Sequence, residues 1–580
     1  MKDVLIKAVK RRKWYIISMI ILIGVNLYLA TYPAKLIGNA IDLMNDREKN
    51  TTEIINIILY LLIVSVVLLI VKLIWRKHEN IIARSVEKDI KDSVFERFMK
   101  LKIYEIQNIK NGELMSYFVR DINDIRAATY RILSVGIRFF ITFAIVTYSM
   151  IKNINLYLTI YTMIPLVLVC IILVLVRKKL EKSVRKATTD FTSLSEYIQE
   201  GTDSIRTTKA YSMEEAQIEE FITKNRKVKK ANNDVDMYQN LINVIISTGF
   251  GICYAIAIWY GSKLVLENQI TIGQFVSFNG YIELFVSPIS WIPSIFMKTN
   301  AAKVAVLRLD RLFNLQKEDI SLEKKNKGTE LKGKIEFKDL SYNYPGYIEK
   351  VLEDINIEIN QGETLGIIGR IGSGKTTLMN LLLKLYDVKD GKIFIDGKDI
   401  NKIQNEVLRE NICYITQENF LFSATIKENI NLFKKGFEDD HIRESLKQAM
   451  IYDDVIEMPN EIDTIIGERG IDLSGGQKQR IEISRAFLNK SNIIIFDDTF
   501  SALDNRTEQR LLTNIKELTK GKTCIIVSNR ISDVKICDKI IVLDDGKIAE
   551  RGTHNSLIMQ KGKYYNFYVQ QAKNSIEEVN

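Results

Sequence analysis

At 580 residues the chain exceeds one domain. Its formal net charge of +10 would suit a nucleic-acid binder, but the apolar residues, 47% of the chain, gather in long runs in the first half. That pattern assigns the positive charge to membrane-flanking loops, so no nucleic-acid partner is expected. Five scattered cysteines without a Cys-x-x-Cys pair indicate neither a disulfide framework nor a zinc site.

Six apolar segments precede residue 300: Trp14–Leu36, Ile54–Trp75, Leu133–Ile151, Leu156–Val176, Leu241–Leu266 and Ile272–Phe296. Each is near the roughly 20 residues that a bilayer requires, which predicts a multi-pass protein in contact with membrane lipids. Residues 76–131 and 177–240 each carry about a dozen Lys and Arg, against about two in 37–53 and only Lys152 between spans three and four. The basic segments, the N-terminus and everything after span six are therefore expected in the cytoplasm, with the spans in the cell membrane.

Asp89–Leu101 and Leu180–Ile198 mix apolar and charged residues at helical spacing without proline. They are expected to extend the spanning helices beyond the bilayer. Turning points are expected at Asn111-Gly112-Glu113 and Glu200–Ser204, where they would touch the cytoplasmic half. Pro33, Pro165, Pro288 and Pro293 lie in or beside spans and predict kinks. Glu283 lies near the middle of span six, with Asn279 one turn earlier on the same face. A carboxylate at that depth is expensive in lipid. It faces either a substrate cavity, with a preference for cations, or a neighbouring helix through a hydrogen bond.

Residues 1–315 thus form a membrane domain, 316–334 a charged linker, 335–572 a soluble domain and 573–580 an exposed tail. Within the soluble domain, Gly369-Arg370-Ile371-Gly372-Ser373-Gly374-Lys375-Thr376 fits the phosphate-binding loop G-x-x-x-x-G-K-[ST]. The strand candidate Thr364–Ile368 precedes it and a helix candidate, Thr377–Leu382, follows. Glycines let backbone N–H groups turn toward an oxyanion, and the helix N-terminus adds its positive dipole end. Lys375 would reach the β- and γ-phosphates and the Thr376 hydroxyl would ligate Mg²⁺. Further on, Tyr344 follows an early strand and Gln417 follows the strand Ile412–Thr416. Leu473-Ser474-Gly475-Gly476-Gln477 opens the helix Lys478–Leu488. Ile493–Asp498 is an apolar strand ending in two carboxylates, and Ser501-Ala502-Leu503-Asp504 comes next.

With these stretches in this order the chain resembles a half-transporter of the ATP-binding cassette (ABC) exporter family along nearly its whole length. The implied fold is an α-helical membrane domain of six spans with long cytoplasmic extensions, followed by an α/β P-loop ATPase domain. The resemblance makes Leu473–Gln477 the signature motif, Asp497 the Walker B aspartate and Asp504 part of the D-loop. Residues 108–121 and 464–470 resemble the segments through which exporter membrane and ATPase domains meet. It also implies that ATP is held by Tyr344, stacked on adenine, together with Gly369, Gly372, Ser373, Gly374, Lys375, Thr376, Thr377 and Gln417. Mg²⁺ would lie among Thr376, Gln417 and Asp497. Two cassettes meet head to tail in the family, so Ser474, Gly475, Gly476 and Gln477 would act on ATP held by a second half-transporter. A Ser hydroxyl and glycine N–H groups at a helix N-terminus form an anion site, although Ser474 also reads as a plain helix N-cap.

Two catalytic positions depart from the family pattern. Asp498 stands where a glutamate usually polarises the attacking water, and it reaches about one methylene less far. Asn529 stands where a histidine is usual; it can hydrogen-bond a phosphate oxygen but cannot exchange a proton. The expectation is an ATP-hydrolysing exporter subunit for an amphipathic small molecule, drug, lipid or peptide. Its own site would be slow, and it would lend an intact signature to a different partner chain. A homodimer, a lipid flippase and a nucleotide-gated channel or sensor are the alternatives.

Overall fold

The computed structural model describes residues 2–45, 51–109, 111–318, 330–467 and 473–577. The chain forms two units: Met1–Lys100 with Ile109–Leu315, and Leu101–Asn108 with Gln316–Asn580.

The first unit is helical. Among the described residues six helical stretches are long and apolar enough to cross a membrane: Lys13–Met44, Thr52–Met99, Gly112–Asn153, Leu156–Asp203, Glu214–Leu266 and Ile272–Asn314. They contain the six apolar segments of the sequence and run past them. The helix Thr51–Met99 has 49 residues, about 70 Å at 1.5 Å per residue, against a hydrocarbon core of about 30 Å. Its apolar residues, Ile55, Ile58, Leu62 and Val66 among them, face outward, as suits a helix with lipid for solvent. The expected turn at Asn111-Gly112-Glu113 is helical instead (Asn111–Ser116). The long helix through Leu180–Ile198 does end where a turn was expected, at Asp203.

Span six is not one continuous helix. Ile272–Glu283 stops, Val286–Ser290 is a short helix, and Ile292–Asn314 resumes. Proline lacks an N–H and its ring crowds the carbonyl four residues back; for Pro288 that residue is Leu284, where the first break falls. Pro33 and Pro165 lie inside helices that continue through them. Glu283 is therefore the last residue of a helix, and it is exposed. Asn279 spends its amide on its own helix, donating to the Phe275 carbonyl at 3.0 Å.

Spans one and six pack backbone to backbone. A Cβ on Gly273 would lie 2.0 Å from the Gly38 carbonyl oxygen, and one on Gly38 would lie 2.3 Å from that of Gly273. Small residues permit such contact between membrane helices. Asp42 fastens the same pair, accepting from the Gly273 N–H at 2.7 Å and the Thr271 hydroxyl at 2.6 Å.

The second unit is an α/β domain. Its strands are β1 (Ile335–Tyr342), β2 (Leu352–Ile359), β3 (Thr364–Gly369), β4 (Ile393–Ile395), β5 (Lys398–Asp399), β6 (Ile412–Ile415), β7 (Ile493–Asp497), β8 (Thr523–Ser528), β9 (Lys539–Asp544) and β10 (Lys547–Gly552). An antiparallel sheet has the order β2-β1-β4-β5, and a six-stranded sheet the order β10-β9-β3-β8-β7-β6. β3, β6, β7, β8 and β9 run parallel, with only β10 reversed. β7 and β8 are buried along their full length, which explains their unbroken apolar runs. The phosphate loop leaves the C-terminal end of β3, between β8 and β9, where ligands collect in parallel sheets.

Leu101–Asn108 folds with this second unit. Leu101 bridges to Lys317, Lys102 pairs with Asp387 at 2.5 Å, and the Tyr386 hydroxyl donates to Gln107 at 2.8 Å. Of the linker expected at 316–334, residues 319–329 lie outside the described residues, as do Glu468, Arg469 and Gly470 of the 464–470 segment. The expected tail begins within the helix Lys563–Glu577.

Candidate nucleotide site

Gly372 and Gly374 have φ of +84° and +98°, a region that side chains other than glycine enter at a cost. Gly369 is required for a different reason: a Cβ there would lie 2.1 Å from the Leu543 carbonyl oxygen. These glycines wrap the loop back onto the helix Lys375–Leu382, whose first N–H groups are unpaired by construction. The Ser373 hydroxyl is buried without a hydrogen-bond partner, an orphan that a phosphate oxygen would satisfy. Lys375 folds into the same space and donates to the carbonyls of Gly369 and Arg370, both at 2.9 Å.

A pocket of about 260 Å³ opens here, lined by Lys375, Thr376, Gln417, Asp497, Asp498 and Asn529 among others. Residues from four separate stretches of sequence therefore converge. Thr376 Oγ1 lies 3.4 Å from Asp497 Oδ1. Burial raises the Asp497 carboxyl above its ordinary range, while hydrogen bonds from Tyr414 and Thr376 oppose that. Burial lowers the Lys375 ammonium, with Asp498 and Asp497 pulling the other way. The hydroxyl, amide and carboxylate oxygens of Thr376, Gln417 and Asp497 are the hard donors that Mg²⁺ takes together with substrate phosphates. Among the described residues no cluster of three His, Cys, Asp or Glu could hold a metal by itself.

The two departures from the family pattern touch each other. Asn529 Oδ1 accepts from Lys375 Nζ at 2.6 Å, and Asn529 Nδ2 lies 3.5 Å from Asp498 Oδ2. Gln417 Nε2 lies 3.4 Å from that same oxygen. Asp498 itself sits in the left-handed region, φ +48°, an uncommon place for a non-glycine residue. Its N–H donates to the Val527 carbonyl at 2.8 Å, continuing the β7–β8 ladder by one residue.

Other expected residues lie elsewhere. Tyr344 is half-buried against Tyr342 and Tyr386, and its hydroxyl meets Thr377 Oγ1 at 2.9 Å. Ser474 caps the helix Gly475–Leu488 in a reciprocal pair: its hydroxyl accepts from the Gln477 N–H, and Gln477 Oε1 accepts from the Ser474 N–H. The N-cap reading thus holds in this chain, and it leaves Gly475 exposed and Gly476 half-buried at the helix end. Asp504 caps the next helix, Asn505–Leu518. Tyr414 was missed: its hydroxyl donates to Asp497 Oδ2 at 2.9 Å. The signal was present, since a phenol is the only polar tip in the apolar strand Ile412–Ile415.

The models of two families match this chain: the ABC transporter transmembrane region over residues 15–289 and the ABC transporter over 352–501. The chain is 31% identical over 566 residues to the probable multidrug resistance ABC transporter ATP-binding/permease protein YheI of Bacillus subtilis, covering 97% of this chain and 96% of that one. It is 28% identical to the multidrug resistance-like ATP-binding protein MdlA of Escherichia coli, over 96% and 94% of the two chains. A solved bacterial Atm1-family ABC exporter with ATP bound shares the fold, with a TM-score of 0.81 at 23% identity over 97% and 98% of the chains. Six helical stretches able to cross a membrane among the described residues, a glycine-formed phosphate loop and these relatives identify the chain as a member of the ABC transporter family: an ATP-hydrolysing ABC exporter with a transmembrane region followed by an ATP-binding domain, homologous to multidrug ABC half-transporters.

Proposed function

We propose that this half-transporter pairs with a different one and carries the slower of two ATP sites. The carrying observation is that Asp498 and Asn529, the two departures, face each other across one pocket, while Ser474–Gln477 remains an unaltered signature. Loss of a well-placed general base typically costs about 10²–10⁴ in rate. Asp498 keeps the charge but not the reach, and Asn529 offers only a hydrogen bond to the γ-phosphate. The exposed end of the helix Gly475–Leu488 would cap a triphosphate on the partner's phosphate loop. In this chain's own site Thr376, Gln417 and Asp497 would hold Mg²⁺, which supplies charge neutralisation at the β- and γ-phosphates. Lys375 would leave the carbonyls of Gly369 and Arg370 to meet the incoming phosphates.

ATP held between the two cassettes would favour an outward-facing membrane domain, and hydrolysis at the faster site would reset it. The cargo is an amphipathic small molecule, drug, lipid or peptide, and the exposed Glu283 at a helix end within span six supports a preference for cations. The chain lies in the cell membrane with its N-terminus and ATPase domain in the cytoplasm, in keeping with its basic loops.

Purifying the tagged chain from its native membrane in mild detergent, with mass identification of what accompanies it, tests the pairing. A second half-transporter with a glutamate after its Walker B aspartate and a switch histidine is expected. Recovery of this chain alone would leave a homodimer with two slow sites and sink the asymmetric reading.

A further inference from the structure

We propose that Gln571 is a positioning residue for the catalytic site: its amide holds the backbone of the switch stretch and thereby fixes Asn529 between Lys375 and Asp498. Gln571 lies in the C-terminal helix Lys563–Glu577, 70 residues beyond the region matched to the ABC transporter family model. Its Nε2 donates to the Asn529 carbonyl at 2.7 Å, and its Oε1 accepts from the Ile531 N–H at 2.9 Å. One planar amide thus grips the peptide groups on both sides of Arg530, using a donor and an acceptor on two separate atoms held in one plane.

The neighbouring groups of the stretch are already committed. The Arg530 N–H donates to Ser528 Oγ at 2.9 Å, and Ser528 in turn donates to Asp533 at 2.5 Å. The Arg530 guanidinium pairs with Glu508 at 2.7 Å. What remains is the Asn529 side chain, which alone points into the nucleotide pocket. Without the Gln571 bonds the Asn529 carbonyl and the Ile531 N–H would lose these partners, and the turn between β8 and the short helix Ile531–Val534 would be free to rotate.

The helix that carries Gln571 is itself anchored. The N–H groups of Lys563 and Tyr564 both donate to the Glu550 carboxylate on β10, and the Tyr564 hydroxyl meets His554 Nδ1 at 2.8 Å. Gln571 lies seven residues after the fully buried Tyr564, which is two helical turns and so the same face. The clamp is therefore rigid at its root. It also acts on backbone, so it serves whatever side chain occupies position 529.

This inference rests on the reading of Asn529 as a γ-phosphate contact, and the test separates the two. The full chain, purified with its companion, is photolabelled with 8-azido-ATP carrying label on the α- or the γ-phosphate, and label on this chain alone is read. α-Label reports occupancy, loss of γ-label reports turnover at this chain's own site, and competition by ATP against ADP reports sensing of the γ-phosphate. Gln571→Met keeps the size and loses both hydrogen bonds. Gln571→Glu keeps the acceptor and sets a carboxylate against the Asn529 carbonyl.

Both variants are expected to keep α-labelling within about twofold. They should slow γ-label loss roughly tenfold, since small misplacements of reacting groups cost rates of that order, and bring the preference for ATP over ADP close to one. Asn529→Ala should lose that preference too. If Asn529→Ala loses it while Gln571→Met and Gln571→Glu keep it with wild-type γ-label loss, the clamp is refuted. If Asn529→Ala keeps it, the γ-phosphate reading fails and the positioning role falls with it.

Discussion

Lys375 Nζ and Asn529 Oδ1 lie 2.6 Å apart across 154 residues of sequence. The ammonium donates to three acceptors, the carbonyls of Gly369 and Arg370 and this amide, so it is fully hydrogen-bonded in the pocket that phosphates would enter. Burial already lowers its affinity for a proton, and the Asp498 and Asp497 carboxylates oppose that; together with the three acceptors they keep the charge there tolerable. Removing one end of the bond should be felt at the other.

Lys375→Ala is expected to lower nucleotide labelling of this chain more than tenfold, because a desolvated charge–phosphate contact is among the strong polar interactions. Lys375→Arg should not rescue it, since a planar guanidinium does not fit three acceptors arranged for a compact ammonium. Equilibrium binding of a fluorescent ATP analogue measures both. Wild-type affinity in Lys375→Ala would show that the loop does not hold the triphosphate.

Asp498→Glu together with Asn529→His should raise hydrolysis at this chain's site by at least tenfold, part of the roughly 10²–10⁴ that a well-placed base contributes, since Asp498 already keeps the charge. Each single change should give less than the pair, because the two side chains meet across one oxygen of Asp498 and neighbours are not additive. Loss of γ-label from this chain is the measurement. An unchanged rate in the double variant would mean that these two residues are not what sets the pace.

The sequence carried the long-range facts that repeat a local pattern. Spans came from apolar length, strand β7 from its unbroken apolar run Ile493–Phe496, and the phosphate loop from its glycines. It could not show that span six breaks at Leu284, because proline's effect depends on how neighbouring helices resatisfy the freed carbonyl. Nor could it place Gln571 against Asn529, since a polar residue near the end of a helix looks like any exposed one until the partner backbone is in view. Tyr414 lay between these cases: its strand was legible, but which carboxylate its hydroxyl would meet was set by strand order. Leu101–Asn108 joins the second unit through a bridge to Lys317, a pairing that leaves no trace in periodicity.

Gly273→Ala and Gly38→Ala should each destabilise the membrane unit by about 3 kcal/mol or more, at the upper end of overpacking costs, because the new methyl meets backbone rather than a flexible side-chain tip. Gly24→Ala, in the same first helix but with nothing within 4 Å of the added Cβ, should be close to neutral. Detergent-resistant folded fraction after heating compares the three. Equal behaviour would mean that spans one and six do not pack at this distance.

Glu482, in the helix Gly475–Leu488, is 1% exposed and accepts from the Phe420 N–H at 2.7 Å. Arg485 lies 3.1 Å from the same Glu482 oxygen and donates to the Phe420 carbonyl at 3.0 Å, so the two side chains hold both sides of the residue three places after Gln417. Burial pushes the Glu482 carboxyl up to about 7, although the Arg485 charge and the Phe420 N–H pull it down. A carboxyl raised in the folded state binds its proton there more tightly than in the unfolded chain. Its contribution to stability is therefore complete below about pH 4 and is lost as pH rises through about 7. Glu482→Gln, which keeps a carbonyl acceptor and does not titrate, should flatten the decline in thermal midpoint between pH 5 and pH 8, by a few degrees. Asp533 keeps part of the slope in that variant: burial raises it to about 7 as well, with the Ser528 hydroxyl opposing and the Glu508 carboxylate adding to the rise. A midpoint that falls equally in wild type and Glu482→Gln would mean that Glu482 is ionised in the folded protein throughout this range, paired with Arg485 strongly enough to outweigh its burial.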